Sequence, residues 1–125
     1  MTQLQKAKLH LQKARQFLDA AELTRDMELC DAATSAAVSS SINSKDAICL
    51  SSTGASARSD NHVAAVAELK AASALAAELA PTFKRLLEVK AKAQYHESGI
   101  TATRAQEAVK RAHRMYEAAV RIVTR

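Results

Sequence analysis

The chain has few aromatic residues, and this scarcity limits the kind of core it can build. Only 3% of its 125 residues are aromatic and tryptophan is absent, although 48% are hydrophobic. A core made mainly of alanine, leucine and valine requires helices that pack closely over small side chains. Glycine occurs twice and proline once, which leaves little of the turn chemistry that β-sheets need. The composition therefore predicts an all-α fold, and the length predicts a single domain over residues 1–125.

The chain also lacks a long apolar segment. No run of about 18 apolar residues is present, and no basic segment followed by an apolar one opens the sequence. We therefore expect a protein that neither spans a membrane nor is secreted. The two cysteines, Cys30 and Cys49, are predicted on one helix, about 28 Å apart at the helical rise per residue. They cannot pair at that distance, so free thiols and a cytoplasmic location are expected.

The charge is unbalanced towards the basic side. The formal net charge is +5 and the isoelectric point is near 9.5, which favours polyanionic partners such as RNA, DNA or nucleotides. The sequence contains neither the Gly-Lys-Ser/Thr of a P-loop nor the glycine fingerprint of a dinucleotide-binding fold. We predict no metal site and no cofactor.

Apolar residues recur at steps of three and four, the spacing of one helix face. The first such stripe consists of Leu4, Ala7, Leu11, Ala14, Leu18 and Ala21, and the last of Ala105, Ala108, Ala112, Met115, Ala119 and Ile122. Pro81 interrupts the third pattern and predicts a break there. The patterns together predict an up-and-down four-helix bundle with an additional short helix near 82–95, and long helices near 2–23, 25–50, 61–80 and 102–124.

The predicted second helix has a middle of small polar residues, Ser39-Ser40-Ser41-Ile42-Asn43-Ser44. Serine is a poor helix former, so tertiary contacts must hold this segment helical. Small side chains let another helix approach closely, which indicates either a close helix crossing or a dimer surface. A catalytic serine is not indicated, because no partner histidine and aspartate pattern accompanies it.

The loop before the third helix carries the first candidate functional residues. Arg58 and His62 flank the predicted N-cap at Asp60 or Asn61. Backbone N–H groups at a helix start, with an arginine and a histidine beside them, can hold a phosphate. The alternative is an ordinary polar connector with a helix cap.

The stretch before the last helix carries the second candidate set. Lys90 and Lys92 are candidates for phosphate binding, and Lys90, Tyr95 and His96 are candidates for catalysis. Gly99 supplies the permissive backbone that a helix exit needs. Lys90 and Tyr95 lie about 140° apart on a regular helix, so they meet only if the helix ends between them or a dimer partner supplies the second group. The alternative is a solvated helix end.

The order and spacing of these features resemble the HEPN domain family, small helical bundles named for nucleotide binding in higher eukaryotes and prokaryotes. The resemblance covers nearly the whole chain. The residues that carry it are Asn43-Ser44-Lys45-Asp46-Ala47-Ile48, the loop leading to His62, and Lys90-Ala91-Lys92-Ala93-Gln94-Tyr95.

Many members of that family are metal-independent ribonucleases that pair an arginine with a histidine, four to six residues apart, across a dimer cleft. By the resemblance, Lys90 occupies the arginine position and Tyr95 the histidine position of the tyrosine-bearing branch, with His96 next to it. Lysine lacks the planar fork that grips phosphate, and tyrosine, with a pKa of about 10, is a poor base at neutral pH. The resemblance therefore implies a homodimer that binds nucleotide or RNA in a basic cleft, without strong catalysis.

Two alternatives remain open. One is an active endoribonuclease toxin of a toxin–antitoxin pair, with His96 as the base and Lys90 as the cation that stabilises the phosphate. The other is an interaction module that docks on a nucleotidyltransferase. RNA cleavage separates the toxin from the binding protein, and nucleotide binding separates the binding protein from the interaction module.

Overall fold

The computed structural model describes residues 1–57 and 61–125, and these form five helices with no strand among them. The helices are α1 (Gln3–Asp26), α2 (Cys30–Thr53), α3 (His62–Ala72), α4 (Ala74–Tyr95) and α5 (Ala102–Val123). The prediction of an all-α fold is confirmed. Within these described ranges, no helix has the length and hydropathy needed to cross a membrane.

The apolar stripes predicted at the two ends of the chain lie on the buried faces of α1 and α5, except that Leu4 is exposed and Ile122 is only partly buried. Buried members of these stripes are Ala7, Leu11, Ala14, Leu18, Ala21, Ala105, Ala108, Ala112, Met115 and Ala119. Each helix follows a threonine whose hydroxyl accepts a backbone N–H three residues on. Thr2 accepts from Gln5 at 3.1 Å and Thr101 from Arg104 at 3.2 Å. These bonds satisfy donors that a helix start otherwise leaves unpaired.

α2 is the central helix, and it packs against all four others. Its serines at positions 40, 41 and 44 are fully buried within the chain. Ser40 Oγ donates a hydrogen bond of 2.7 Å to the carbonyl oxygen of Ala14 on α1. The small polar middle of α2 thus serves a close helix crossing, and these three serines offer no surface to a second copy.

α1 and α2 run antiparallel. Ala14 meets Ser40, His10 meets Asn43 at 3.0 Å, and the first residue of α1 lies beside Gly54. Residue numbers therefore rise along α1 as they fall along α2. Both cysteines are on α2 and both are free thiols.

The break between the third and fourth helices lies at Ser73, and not at Pro81 as predicted. Ser73 is extended, with φ −169° and ψ 169°, and its hydroxyl accepts the backbone N–H of Ala76 at 3.0 Å. Pro81 lies inside α4. It removes one helical hydrogen bond, but buried residues on both sides of it, Leu79 and Phe83 among them, hold the helix together through their packing. The short helix is therefore α3, and the predicted boundaries 61–80 and 82–95 are wrong. The predicted start of the second helix at residue 25 is also wrong, because α1 continues to Asp26 and α2 begins at Cys30.

α4 ends at its C-cap His96, whose backbone is extended, and Gly99 lies in the turn that follows and not at the helix end as predicted. Gly99 has φ +71°, and a side chain there would meet the Asp31 carboxylate at 3.5 Å. Asp31 Oδ1 accepts the backbone N–H of Ile100 at 2.7 Å. Ile100 then packs with Ala93 and Ala105 in a small apolar cluster. This arrangement fixes the path of the chain between α4 and α5 and holds the end of α4 against the start of α2.

Candidate anion-binding groove

A groove of about 520 Å³ lies where α1, α2, α3 and α4 come together. Its floor is apolar and is made of Ile42, Ala65, Phe83 and Leu87, while its polar side chains are His10, Lys13, Lys45, Asp46, His62 and Lys90. Five of these six polar side chains are basic or become so on protonation. We call this site the basic groove.

The basic groove contains two of the site residues predicted from the sequence, Lys90 and His62. Lys90 is half-buried near the end of α4, and His62 is the half-buried first residue of α3. Lys92 does not line the groove. Arg58, predicted to act with His62, lies outside the described residues, as does Asp60, the alternative to Asn61 as the cap of α3. Asn61 is that cap, and its side chain accepts the N–H of Ala64 at 3.2 Å.

Tyr95 and His96 lie away from the basic groove. α4 stays helical through Tyr95, so Tyr95 and Lys90 keep their angular separation, and the Tyr95 side chain is 82% exposed. His96 is also exposed; its Nδ1 lies 2.7 Å from Ser98 Oγ and accepts the Ser98 backbone N–H at 3.2 Å. The structure does not bring Lys90, Tyr95 and His96 of this chain together.

A buried ion network forms one wall of the basic groove. Lys45 is only 2% exposed, and its ammonium group pairs with the Glu68 carboxylate of α3. It also lies 3.4 Å from Asp46 Oδ1 and donates to Ser56 Oγ at 3.0 Å. Ser56 in turn donates to Asp46 at 2.6 Å, and the backbone N–H of Ala57 donates to Glu68 at 2.9 Å. The network ties the chain after α2 to both α2 and α3.

Lys45 and Glu68 hold each other in their charged forms. Burial acts to lower the pKa of Lys45, but the hydrogen bond with Glu68 and the negative charge of Asp46 outweigh it and raise that pKa above 10.5. Burial acts to raise the pKa of Glu68, but the hydrogen bonds from Lys45 and Ala57 outweigh it and lower that pKa below 4.5. Lys45 is thus compensated by two carboxylates, and it adds little net charge to the groove.

Lys13 and Lys90 are the lysines of the basic groove that remain available to an anion. Neither has an ion-pair partner within residues 1–57 and 61–125. They reach the groove from α1 and α4, so an anion bound between them touches two helices. Separated cations of this kind can contact successive phosphates of a nucleic-acid backbone.

Two histidines complete the polar lining. His10 Nδ1 lies 3.0 Å from Asn43 Oδ1 and 3.9 Å from Asp46 Oδ2. His62 reaches the groove from the first turn of α3. A histidine ring can donate to a phosphate oxygen when neutral and becomes a cation when protonated.

Cys49, the buried cysteine beside this network, is held in its protonated thiol form. Burial raises the pKa of its thiol to about 11. A thiol in that state is protonated at neutral pH, and the thiolate is the reactive form. Among the described residues, no group of three or more His, Cys, Asp and Glu side chains could hold a metal ion.

Comparison with models of known protein families gives no match to this chain, and comparison with curated proteins gives no similar sequence.

Proposed function

We propose that this chain is a HEPN-like protein that binds nucleotide or RNA through the basic groove, without strong catalysis. The observation that carries the proposal is the convergence of Lys13, Lys90, His10 and His62, from three different helices, on one groove with an apolar floor. Lysine ammonium groups bind phosphate as point charges. The apolar floor supplies surface for a base or a ribose, as in other small-ligand sites.

The proposal extends to the architecture. We take α1, α2, α4 and α5 as an up-and-down four-helix bundle and α3 as the additional short helix. The antiparallel pairing of α1 with α2, and the packing of α2 against both α4 and α5, support this arrangement.

We further propose that the protein is a homodimer. Tyr95 and His96 are exposed at the end of α4, so a second copy is the remaining route by which either could approach Lys90. Light scattering at micromolar concentration tests this, with twice the mass of 13.4 kDa expected. A mass of one chain would exclude the dimer.

RNA binding tests the function directly. Replacement of Lys90 by Gln removes one of two available groove lysines, and we expect the affinity for an unstructured RNA oligonucleotide at fixed salt to fall about three- to tenfold. Lys110→Gln is the matched control, because Lys110 is exposed on α5 and does not line the groove. An equal loss in both variants would show attraction by overall charge and would contradict groove binding.

The same assay separates the alternatives. Cleavage of the RNA that disappears in His96→Ala would support the endoribonuclease toxin. A wild-type protein that binds neither RNA nor nucleotide would support the interaction module, with a nucleotidyltransferase as the partner to test by co-purification.

A further inference from the structure

We propose that the arginine-rich outer face of α5 is a second nucleic-acid surface, which binds the phosphate backbone of double-stranded RNA. This surface is separate from the basic groove, because no residue of α5 lines that groove. The proposal goes beyond the function given above, which concerns the basic groove. Only the choice of RNA over DNA rests on that proposed function.

The first support is the position of four arginines on the outer side of α5. They lie within about 100° of one another around the helix axis and span about 26 Å along it. Three of them are exposed and the second is half-buried. We call these four residues the α5 basic face: Arg104, Arg111, Arg114 and Arg121.

The α5 basic face carries more positive charge than its acidic neighbours on the helix offset. α5 contains two glutamates, of which Glu107 pairs with Arg111 at 3.7 Å and Glu117 pairs with His113. The other three arginines of the face have no ion-pair partner in the described part of the chain. A phosphate that approaches the face therefore meets three guanidinium groups that are free to bind it.

Arg85 of α4 extends the face towards the neighbouring helix. It shares a crevice between α4 and α5 with Arg104 and Arg111. Glu88 and Glu107 line the same crevice, so its three arginines and two glutamates leave a net charge of +1. The positive surface thus continues from α5 onto α4.

The chemistry of the α5 basic face favours a phosphate backbone over a membrane or a protein. None of the exposed large hydrophobic side chains among the described residues lies on α5. A helix that lies on a bilayer inserts an apolar face, and a protein interface usually has an apolar centre. The apolar side of α5 is instead buried against α1, α2 and α4. Arginine binds phosphate through two parallel hydrogen bonds from its planar guanidinium group.

The same face favours a duplex over a single strand. Proteins that hold single strands stack the bases on aromatic side chains. Tyr116, the single tyrosine of α5, is half-buried, and the Arg15 guanidinium lies 5.7 Å from the centre of its ring. A duplex keeps its bases stacked inside and presents a dense row of phosphates outside. Folded RNA contains duplexes next to single-stranded loops, so one RNA can supply a ligand to each surface.

The test compares two RNA probes by fluorescence anisotropy at fixed pH and salt. One is a blunt duplex of about 16 base pairs, and the other is the unstructured oligonucleotide that probes the groove. Arg114→Gln combined with Arg121→Gln should lower the affinity for the duplex about tenfold to 100-fold, because each lost contact costs about three- to tenfold. The affinity for the unstructured strand should not change.

The salt dependence gives a second readout. For a duplex, the slope of log affinity against log salt is about −0.9 per neutralised phosphate. Three free arginines predict a slope of about −2.7, and the double variant should reduce it to about −0.9. Glutamine is a good helix former, and thermal denaturation verifies that the double variant keeps its fold.

Two controls show whether the effect belongs to the α5 basic face. Lys8→Gln combined with Lys70→Gln removes the same charge from exposed positions on α1 and α3 that lie outside both surfaces, and it should leave the affinity for the duplex unchanged. An equal loss in this variant would show attraction by overall charge and would overturn the proposal. Lys90→Gln should weaken binding of the unstructured strand and leave duplex binding unchanged; an equal loss for both probes would overturn the separation of the two surfaces.

The outcomes also separate this proposal from the proposed function. Wild-type protein that does not bind the duplex would overturn the role of the α5 basic face and leave groove binding standing. Duplex binding without binding of the unstructured strand or of nucleotide would overturn groove binding and leave the face standing. Tighter binding of a DNA duplex of the same sequence would overturn the assignment to RNA. Displacement of the RNA duplex by poly-glutamate at equal charge concentration would assign the face to an acidic protein and overturn the proposal.

Discussion

Lys45 decides the stability of the groove wall, because it is a charged side chain with almost no contact with water. Its 2% exposure is sustainable only because Glu68, Asp46 and Ser56 surround the ammonium group. A buried charge that loses its partners is strongly unfavourable. Conversely, carboxylates gathered around a lysine repel one another when the lysine is removed.

We predict that Lys45→Met lowers the free energy of unfolding by about 2–3 kcal/mol, measured by urea denaturation at pH 7. The expected loss is smaller than for a fully buried pair because the Asp46 and Glu68 side chains keep 19% and 28% of their exposure. Lys90→Met is the control, since Lys90 lacks an ion-pair partner in the described ranges, and its effect should stay within about 0.5 kcal/mol. Equal free energies of unfolding for the two variants would show that the ion network around Lys45 does not stabilise the fold.

The same network makes stability depend on pH at both ends of the scale. The pKa of Glu68 is lowered in the folded state, so its contribution is present above 4.5 and is lost as pH falls through the folded pKa. The pKa of Lys45 is raised, so its contribution is present below 10.5 and is lost as pH rises through the folded pKa. Between these limits the network contributes its full stability.

We therefore predict that Glu68→Gln flattens the acid limb of the stability profile. Stability of the wild type should fall more steeply than that of the variant as pH drops below 4.5. Chemical denaturation at a series of pH values measures the two slopes. Glu97→Gln provides the comparison, because Glu97 is exposed after α4, and its acid limb should match that of the wild type.

Some residues of the basic groove can be predicted from the sequence, and others cannot. His62 is predicted because it lies at a helix start, where anions bind, and Lys90 is predicted through the resemblance of residues 90–95 to the HEPN motif. The sequence does not predict His10 and Lys13 as groove residues, because they lie beside the apolar stripe of α1. Only the packing of α1 on α2 directs them towards α3 and α4. Lys45 looks like one half of an ordinary surface Lys-Asp pair, and its burial depends on Glu68, which belongs to another helix.

At the scale of whole elements, periodicity located α1 and α5 to within a few residues and failed at the junction of α3 and α4. The alanine-rich sequence from 71 to 80 keeps its apolar spacing across the true break, so the pattern contains no interruption. Pro81 is the stronger helix-breaking signal in this part of the sequence. The structure shows that the extended backbone of Ser73 ends α3 and that its hydroxyl caps the start of α4, while packing on both sides of Pro81 continues α4.

Two substitutions at this junction should act in opposite directions. Ser73→Ala removes the hydroxyl that accepts the Ala76 N–H and should lower the free energy of unfolding by about 1 kcal/mol.

Pro81→Ala restores a helical N–H and removes the proline ring from inside α4. This gain outweighs the greater freedom of the unfolded chain, so the free energy of unfolding should rise by about 1–2 kcal/mol. Thermal and urea denaturation measure both. If Pro81→Ala instead destabilises the protein, the proline imposes a bend that the packing of α4 requires.

For the molecule as a whole, two sources of attraction for RNA must be distinguished. The chain has 18 basic and 13 acidic residues, so its net charge of +5 alone attracts any polyanion. That attraction is spread over the surface and depends little on any single lysine. The basic groove, in contrast, offers Lys13 and Lys90 at fixed positions beside an apolar floor.

The salt dependence of binding distinguishes the two. For single-stranded nucleic acid, the slope of log affinity against log salt is about −0.7 per neutralised phosphate. Two groove lysines predict a slope of about −1.4 at pH 8. Lys90→Gln should reduce the slope at pH 8 to about −0.7, whereas Lys110→Gln should leave it unchanged. If all five net charges attract the RNA together, the wild-type slope at pH 8 should be about −3.5. Either substitution should then lower the slope by the same amount. In that case the RNA would be held by the charge of the whole molecule, and the groove would have no special role.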